Sequence, residues 1–504
     1  MPSPHRCSTP VVAVKFARKW ALSATLATFG LGASFGPGLS FGPSTAEAAA
    51  AIPTDAKMVS APWTREDLAA AKALRDGLVK GSEAFAFVRD LTTEVGPRSA
   101  GSAGDAAAVA WAKARLEALG FDRVYTQEVT VPHWDRGDLE VRTEAPFLQR
   151  LVAASLGGSI GTAQEGLHGE VVRFDSLEAL KAAPDVAVAG KIVFLDQSMM
   201  RDREGKGYSP VVRGRADGAS LAGAKGAKAI VIRSVGTDAN ARFAHTGTVT
   251  YAINAPRIPA VALANPDADQ LSRQYATAMA RQEPVRLFLR STARELPMAK
   301  SANVIGEITG SEFPDEVVVL GGHLDSWDLG HGAIDDGAGV AIATAAAIGI
   351  KQAGLKPRRT IRVVLWANEE FGLSGANEYA RREAANLGKH VGAVEADFGG
   401  ARVFRFSSRV AATAVPAMQQ VQSVLAPLGV EWGNNEASGG ADTGPLRREG
   451  VPVFNLQQDG TLYFDNHHTA NDTLDKVDPA AVDQATAAYA VLAWLLAQGN
   501  LVLR

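Results

Sequence analysis

Residues 316–339, EVVVLGGHLDSWDLGHGAIDDGAG, constrain this chain more than any other stretch. Val317, Val318, Val319 and Leu320 form a continuous apolar run, as a strand buried on both faces requires. The chemistry then changes abruptly. Gly321 and Gly322 let the backbone turn, His323 and Asp325 follow two residues apart, and Asp335 and Asp336 stand just before a Gly/Ala-rich helical segment running to about Gly354. Imidazole and carboxylates at the carboxyl end of a strand, opening onto a helix N-terminus, sit where open α/β sheets build their sites.

The rest of the chain supplies the sheet. After Ser301, strands are predicted over Asn303–Ile308, Val317–Gly321, Thr360–Ala367, Val391–Ala396 and Val451–Leu456. Helices are predicted over Gly337–Ala353, Ser374–Asn386, Val410–Leu425 and Pro479–Ala497. This alternation predicts an α/β fold with a mostly parallel sheet sandwiched by helices. Residues 62–131, helical before a strand near Arg123–Val131, read as the N-terminal part of that domain, and 298–504 as its remainder. Between them, 132–297 read as an inserted mixed α/β domain, with strands at Gly169–Phe174, Lys191–Leu195, Ala229–Ile232, Ile258–Leu263 and Val285–Leu289. Its helices are predicted at Ala216–Lys225 and Asp267–Met279. A length of 504 residues accommodates both units. His245, isolated in the insertion, reads as a surface or hydrogen-bonded histidine.

Residues 1–48 read as an export signal. Arg6, Lys15, Arg18 and Lys19 form a positive region, Ala21–Phe41 is apolar and Gly-rich, and Ala46-Glu47-Ala48 flanks a cleavage point. The expected destination is extracytoplasmic, secreted or periplasmic, with no membrane attachment once the signal is removed. A net charge of −3 without a basic block argues against a nucleic-acid partner. The single cysteine, Cys7, leaves with the signal, so any bound metal falls to His, Asp and Glu.

Four predicted strand ends finish in such residues: His323/Asp325 with Asp335, then Asn368-Glu369-Glu370, Glu395-Ala396-Asp397, and His467-His468. Four at corresponding ends of one sheet can converge in a cleft. Two imidazoles and three carboxylates, with no thiolate, suit zinc. Two Zn2+ carry +4 against −3 from Asp335, Glu370 and Asp397, and the remaining +1 favours deprotonation of a shared water, the nucleophile needed at neutral pH. Glu369, beside Glu370, is then the general base. Asp325 can accept the proton on the His323 ring nitrogen that faces away from metal and so fix its tautomer.

GGHLDSWDLGHGAIDDGAG, NEEFGLSGA, EADFGG and HHTANDT resemble, in order and spacing, the secreted di-zinc exopeptidases that include bacterial aminopeptidases and the carboxypeptidase Q group. The resemblance covers about Pro62 to Arg504, and 132–297 resembles the protease-associated domain inserted in several members. It implies two Zn2+, one held by His323, Asp335 and Asp397 and the other by Asp335, Glu370 and His468, with Asp335 bridging. It also implies a cis peptide between Asp335 and Asp336. His467 stands where several relatives carry tyrosine as oxyanion donor, which leaves packing and donation both open for it. SGGADTG at Ser438–Gly444 resembles a substrate loop, with Gly440 in it and Asp442 aimed at the cleft; a structural turn is the alternative. Asp336 reads either as a helix N-cap or as a support for the ligands, and His331 as a surface residue. The implied activity is hydrolysis of terminal bonds of small unblocked peptides, dipeptides above all. The alternatives are a broad aminopeptidase, a hydrolase of non-peptide amides, and a non-catalytic binding ectodomain of the same fold. For holding a peptide end, Asp442 and Asp465 are candidate partners of an ammonium, and Arg447 or Arg448 of a carboxylate. A homodimer is compatible with the sequence.

Overall fold

The computed structural model describes residues 61–504; the export segment expected over 1–48 lies outside them. Two eight-stranded sheets form within these residues. The first has at its centre four parallel strands, Arg359–Trp366, Phe313–His323, His390–Glu395 and Val453–Gln458. Antiparallel pairing flanks this centre: Arg294–Ile308 on one side and Val403–Arg409 on the other. The sheet is therefore mixed, and the site is built at its parallel centre.

Alternation along the central strands divides the core. Val318 and Leu320 face one cluster with Ile361, Val363 and Leu365, whereas Val317 and Val319 face another with Val364 and Trp366. A strand buried on both faces must be apolar at every position, which the run at 317–320 satisfies. Helices Ala338–Gln352 and Pro479–Gln498 pack together on the first face. The segment Ala333–Gln352, which includes the turn before the first of them, and helix Pro479–Gln498 are each long and apolar enough to cross a membrane, but both are almost wholly buried inside the protein, so here they serve as core elements. On the other face helix Ser374–Glu383 contributes Ala376 and Tyr379.

The second sheet is drawn from Leu139–Ser291 and has its own parallel centre of Leu167–Phe174, Ile192–Leu195, Ala229–Arg233 and Ala260–Leu263. The chain reaches it along Arg123–Asp135 and returns along Arg294–Ile308. These strands pair antiparallel over most of their length, down to Asp135 opposite Arg294. A two-stranded ribbon thus joins the sheets. Loop 234–250 and helix Ser209–Ala224 lie beside the carboxyl ends of the first sheet: the Thr246 N–H donates to the His468 carbonyl at 2.9 Å, and that of Thr237 to the Phe464 carbonyl at 2.9 Å.

Candidate metal centre and active site

His323, Glu370 and Asp397 are delivered by the carboxyl ends of central strands, whereas Asp335 comes from a turn and His468, expected at a strand end, follows a short helix ten residues beyond the strand that ends at Gln458. His323 is the last residue of its strand, Asp397 lies two residues beyond Glu395, and Glu369 and Glu370 follow the strand ending at Trp366. His467 and His468 follow the short helix Tyr463–Asn466. Asp335 arrives from the irregular turn Ala333–Gly337 at the start of the core helix, and its peptide bond to Asp336 is cis. Gly322 permits this approach, because a Cβ there would lie 2.6 Å from Asp336 Oδ2 and 2.7 Å from the Val340 nitrogen.

The side chains converge. His323 Nε2 lies 3.1 Å from Asp335 Oδ1 and 3.8 Å from Asp397 Oδ1. His468 Nε2 lies 3.2 Å from Asp335 Oδ2 and 3.1 Å from Glu370 Oε2. Asp335 therefore stands between two groups of nitrogen and oxygen donors, one carboxylate oxygen toward each. Buried Asp335 Oδ2 and Glu370 Oε1 have no hydrogen-bond partner among the described residues. This donor set and these orphaned oxygens fit a pair of zinc ions sharing Asp335. His467 also comes within 3.7 Å of Asp335 Oδ2, its ring stacked on that of His468 at 3.5 Å.

Electrostatics match a site built around cations. Burial raises the Asp397 carboxyl to about 7, with His323 pulling it down and Asp335 adding to the rise. Burial opposes charge on His468, but Glu370 and Asp335 outweigh it and bring the imidazole to about 9. Burial lifts Glu369 well above the usual carboxylate range, His323 opposing and Glu370 and Asp397 reinforcing.

Supporting groups fix the geometry. The Asp472 carboxylate accepts from the N–H groups of Ala333 and Ile334, both at 2.7 Å, and of Asp335 at 3.2 Å, and so holds the turn that presents the bridging carboxylate. Asp336 combines both roles read for it: Oδ1 accepts from Gly339 N–H at 3.0 Å at the helix start, and Oδ2 from His323 N–H at 2.9 Å. Asp325 works differently from expectation. Its backbone carbonyl, 2.9 Å from His323 Nδ1, is the acceptor that sets the tautomer, because its carboxylate lies at 3.6 Å, too far for a hydrogen bond. That carboxylate instead accepts from Glu369 N–H at 3.0 Å and Glu370 N–H at 3.4 Å.

Other expected contacts change. Asp442 is fully buried, neither of its oxygens has a partner, and it does not line the main cavity. Gly440 holds its loop against Glu395, since a Cβ there would collide with Glu395 Oε2. Asp465 is occupied by Arg201, at 2.6 Å, and the Thr237 hydroxyl, at 2.7 Å. Arg447 and Arg448 are exposed on a short helix. His331 is exposed, and His245 is buried with Nδ1 2.7 Å from the His467 carbonyl, the hydrogen-bonded alternative.

A cavity of about 510 Å3 opens over the cluster, lined by Asp335, Glu369, Glu370, Asp397, His467 and His468 and, from the second sheet's segment, by Tyr208, Arg215 and Thr248. These three were not foreseen. Nothing in their local sequence marks them, because only the fold brings them to the site.

Residues 303–493 match peptidase family M28. The chain is 36% identical over 409 residues to carboxypeptidase Q of Rattus norvegicus, an alignment covering 81% of this chain and 84% of the relative. Among solved structures, a peptidase M28 precursor from Shewanella amazonensis is 48% identical, with a TM-score of 0.84 over 87% of this chain and 98% of that one. A zinc aminopeptidase from Bacillus subtilis, 18% identical, shares the fold with a TM-score of 0.58 over 81% of this chain and 93% of that one. Sequence and fold together place this chain in peptidase family M28.

Proposed function

We propose that the protein is an extracytoplasmic zinc exopeptidase that hydrolyses terminal bonds of small unblocked peptides, dipeptides above all. The observation that carries this reading is the Glu369 carboxyl, free of metal-donor duty, beside a donor cluster bridged by Asp335 and facing a cavity sized for a small peptide. His323, Asp335 and Asp397 would hold one zinc, and Asp335, Glu370 and His468 the other. Zinc bound there supplies Lewis acidity and makes water acidic enough to act as a nucleophile near neutral pH.

Glu369 takes a proton from the attacking water as its oxygen bonds to the peptide carbonyl carbon. The same carboxyl returns that proton to the amine nitrogen as the C–N bond breaks. Burial lifts Glu369 well above the usual carboxylate range, with Glu370 and Asp397 adding to the effect against His323, which strengthens it as a proton acceptor. His467 would steady the developing oxyanion. Burial and neighbouring His468 hold its pKa well below the ordinary imidazole value, so it remains neutral with one N–H to donate.

An aminopeptidase would need a free acid for the substrate ammonium. Neither residue read for that task serves, because Asp465 is ion-paired to Arg201 and Asp442 is sealed in the interior. The dipeptide reading is tested by mass spectrometry of products from matched free, N-acetylated and C-amidated peptides. Cleavage of free dipeptides with loss of activity on end-blocked forms supports it, whereas internal cleavage of long blocked peptides contradicts it.

A further inference from the structure

The main cavity is acidic, yet it contains one arginine. Arg215, on helix Ser209–Ala224, is 7% exposed and, among the described residues, is the only Lys or Arg lining the cavity. Its hydrogen-bond acceptors among the described residues are the Tyr208 hydroxyl at 2.8 Å from Nη2 and the Thr246 carbonyl at 3.4 Å from Nη1. His468 Nδ1 lies 3.4 Å from the same Nη1 but, with Nε2 turned to the donor cluster, carries the ring proton and faces that carbonyl too. Nε is buried with no partner. Gly247 makes room for the guanidinium, because a Cβ there would collide with its central carbon. A buried guanidinium with unused donors and no anion is costly unless a ligand supplies the anion.

We infer that Arg215 binds the terminal carboxylate of the residue that leaves when the peptide bond is cut. The inference rests on the peptidase reading and adds to it the polarity of the substrate and the length of its leaving group. Arg215 touches one edge of the His468 ring, and the opposite edge, Nε2, meets Asp335 and Glu370. The guanidinium thus stands one 3.4 Å contact and one imidazole ring away from the donor cluster, a step comparable with the ~3.8 Å between successive Cα atoms plus a hydrogen bond to a terminal carboxylate. A single residue spans that step. With Nε and the remaining Nη hydrogens free, the planar fork can meet a carboxylate through two N–H groups. This guanidinium replaces Arg447 and Arg448, which lie on the surface, as the cation that reads the peptide end.

The test compares zinc-loaded wild type, Arg215→Met and Arg215→Lys on Ala-Ala, Ala-Ala-NH2 and Ala-Glu-NH2. Wild type should favour Ala-Ala strongly. Arg215→Met should lose about 100-fold or more in kcat/KM on Ala-Ala while changing little on Ala-Ala-NH2, as expected when a buried charge loses its partner. Arg215→Lys should recover part of the selectivity. Unchanged zinc content and melting temperature would show that both variants fold. Binding of Ala-Ala to zinc-loaded Glu369→Gln, followed by calorimetry, should disappear when Arg215→Met is added. Equal losses on the free and amidated substrates, or no loss, would overturn the inference while leaving the peptidase reading intact. A selective loss on Ala-Glu-NH2 would assign Arg215 to an acidic side chain and overturn it as well. Wild type inert toward free dipeptides would overturn both readings.

Discussion

The carboxylate of Asp325 accepts a hydrogen bond from the backbone N–H of Glu369 at 3.0 Å, so the segment just beyond the candidate ligand His323 also positions the proposed base. Asp325→Ala removes that anchor and the weaker one to Glu370. Kinetics with zinc analysis should show kcat falling by about 10- to 100-fold, the range for losing support behind a metal site. Asp325→Asn, which keeps one acceptor oxygen, should fall less. The carbonyl that orients His323 belongs to the main chain and survives both substitutions.

His467 and His468 stack ring on ring, but their proposed duties differ and can be separated. Elemental analysis of His468→Ala should find about one zinc lost from two, because His468 meets both Asp335 and Glu370. His467→Ala should keep its zinc and lose about 100- to 1,000-fold in kcat, the cost of removing one oxyanion donor. Loss of zinc from His467→Ala would make it a ligand.

Chelation should destabilise the fold. Asp335, Glu370 and Asp397 crowd with two imidazoles into a mostly buried cluster, and without cations its three carboxylates outnumber the imidazoles that could balance them. Calorimetry should show the melting temperature falling on treatment with a chelator and recovering when zinc is restored.

A second buried histidine, far from the cluster, sets a pH dependence. His390 Nε2 accepts from the Tyr379 hydroxyl at 2.9 Å and Nδ1–H donates to the Asn386 carbonyl at 3.1 Å, while Tyr379 itself accepts from Arg362 at 2.8 Å. Every site on the neutral ring is used. Burial lowers its pKa to about 4, the Asn386 carbonyl opposing and Arg362 reinforcing. With the folded pKa below the unfolded value near 6.5, the unfolded chain binds the extra proton between them. This contribution is therefore fully present above pH 6.5 and is lost as pH falls toward 4. The 2.5-unit interval corresponds to about 3 kcal/mol. The stability difference between wild type and His390→Gln, from denaturant unfolding, should shrink by about that amount between pH 7 and pH 4. A constant difference would mean that His390 does not titrate in this way.

How far the sequence could be read depended on whether a signal was local. The strand at 317–320 was legible because burial on both faces leaves no polar position, and His323, Glu370 and Asp397 because each follows the end of such a strand, whereas Asp335 and His468 lie in a turn and after a short helix. Strand Leu139–Ala145 was missed: its open face carries Glu140, Arg142 and Glu144, whose ion pairs at 2.8 and 3.0 Å break up the apolar pattern. The predicted helix Ala216–Lys225 begins instead at Ser209, because Pro210 looks like a stop but is tolerated in a first turn. Arg215 lies just ahead of Ala216, outside the predicted helix. Its role depends on a helix from one sheet reaching the strand ends of another, and no spacing within 132–297 encodes that meeting.

The central claim is that a carboxyl beside the metal donors, and not itself one of them, moves the proton. Glu369→Gln keeps the shape of that side chain and removes its basicity. Assayed on a free dipeptide with zinc measured on the same sample, the variant should hold as much zinc as wild type and lose at least ~100-fold in kcat, the lower end of what a positioned general base contributes. Near-wild-type turnover in a zinc-replete Glu369→Gln protein would contradict the account.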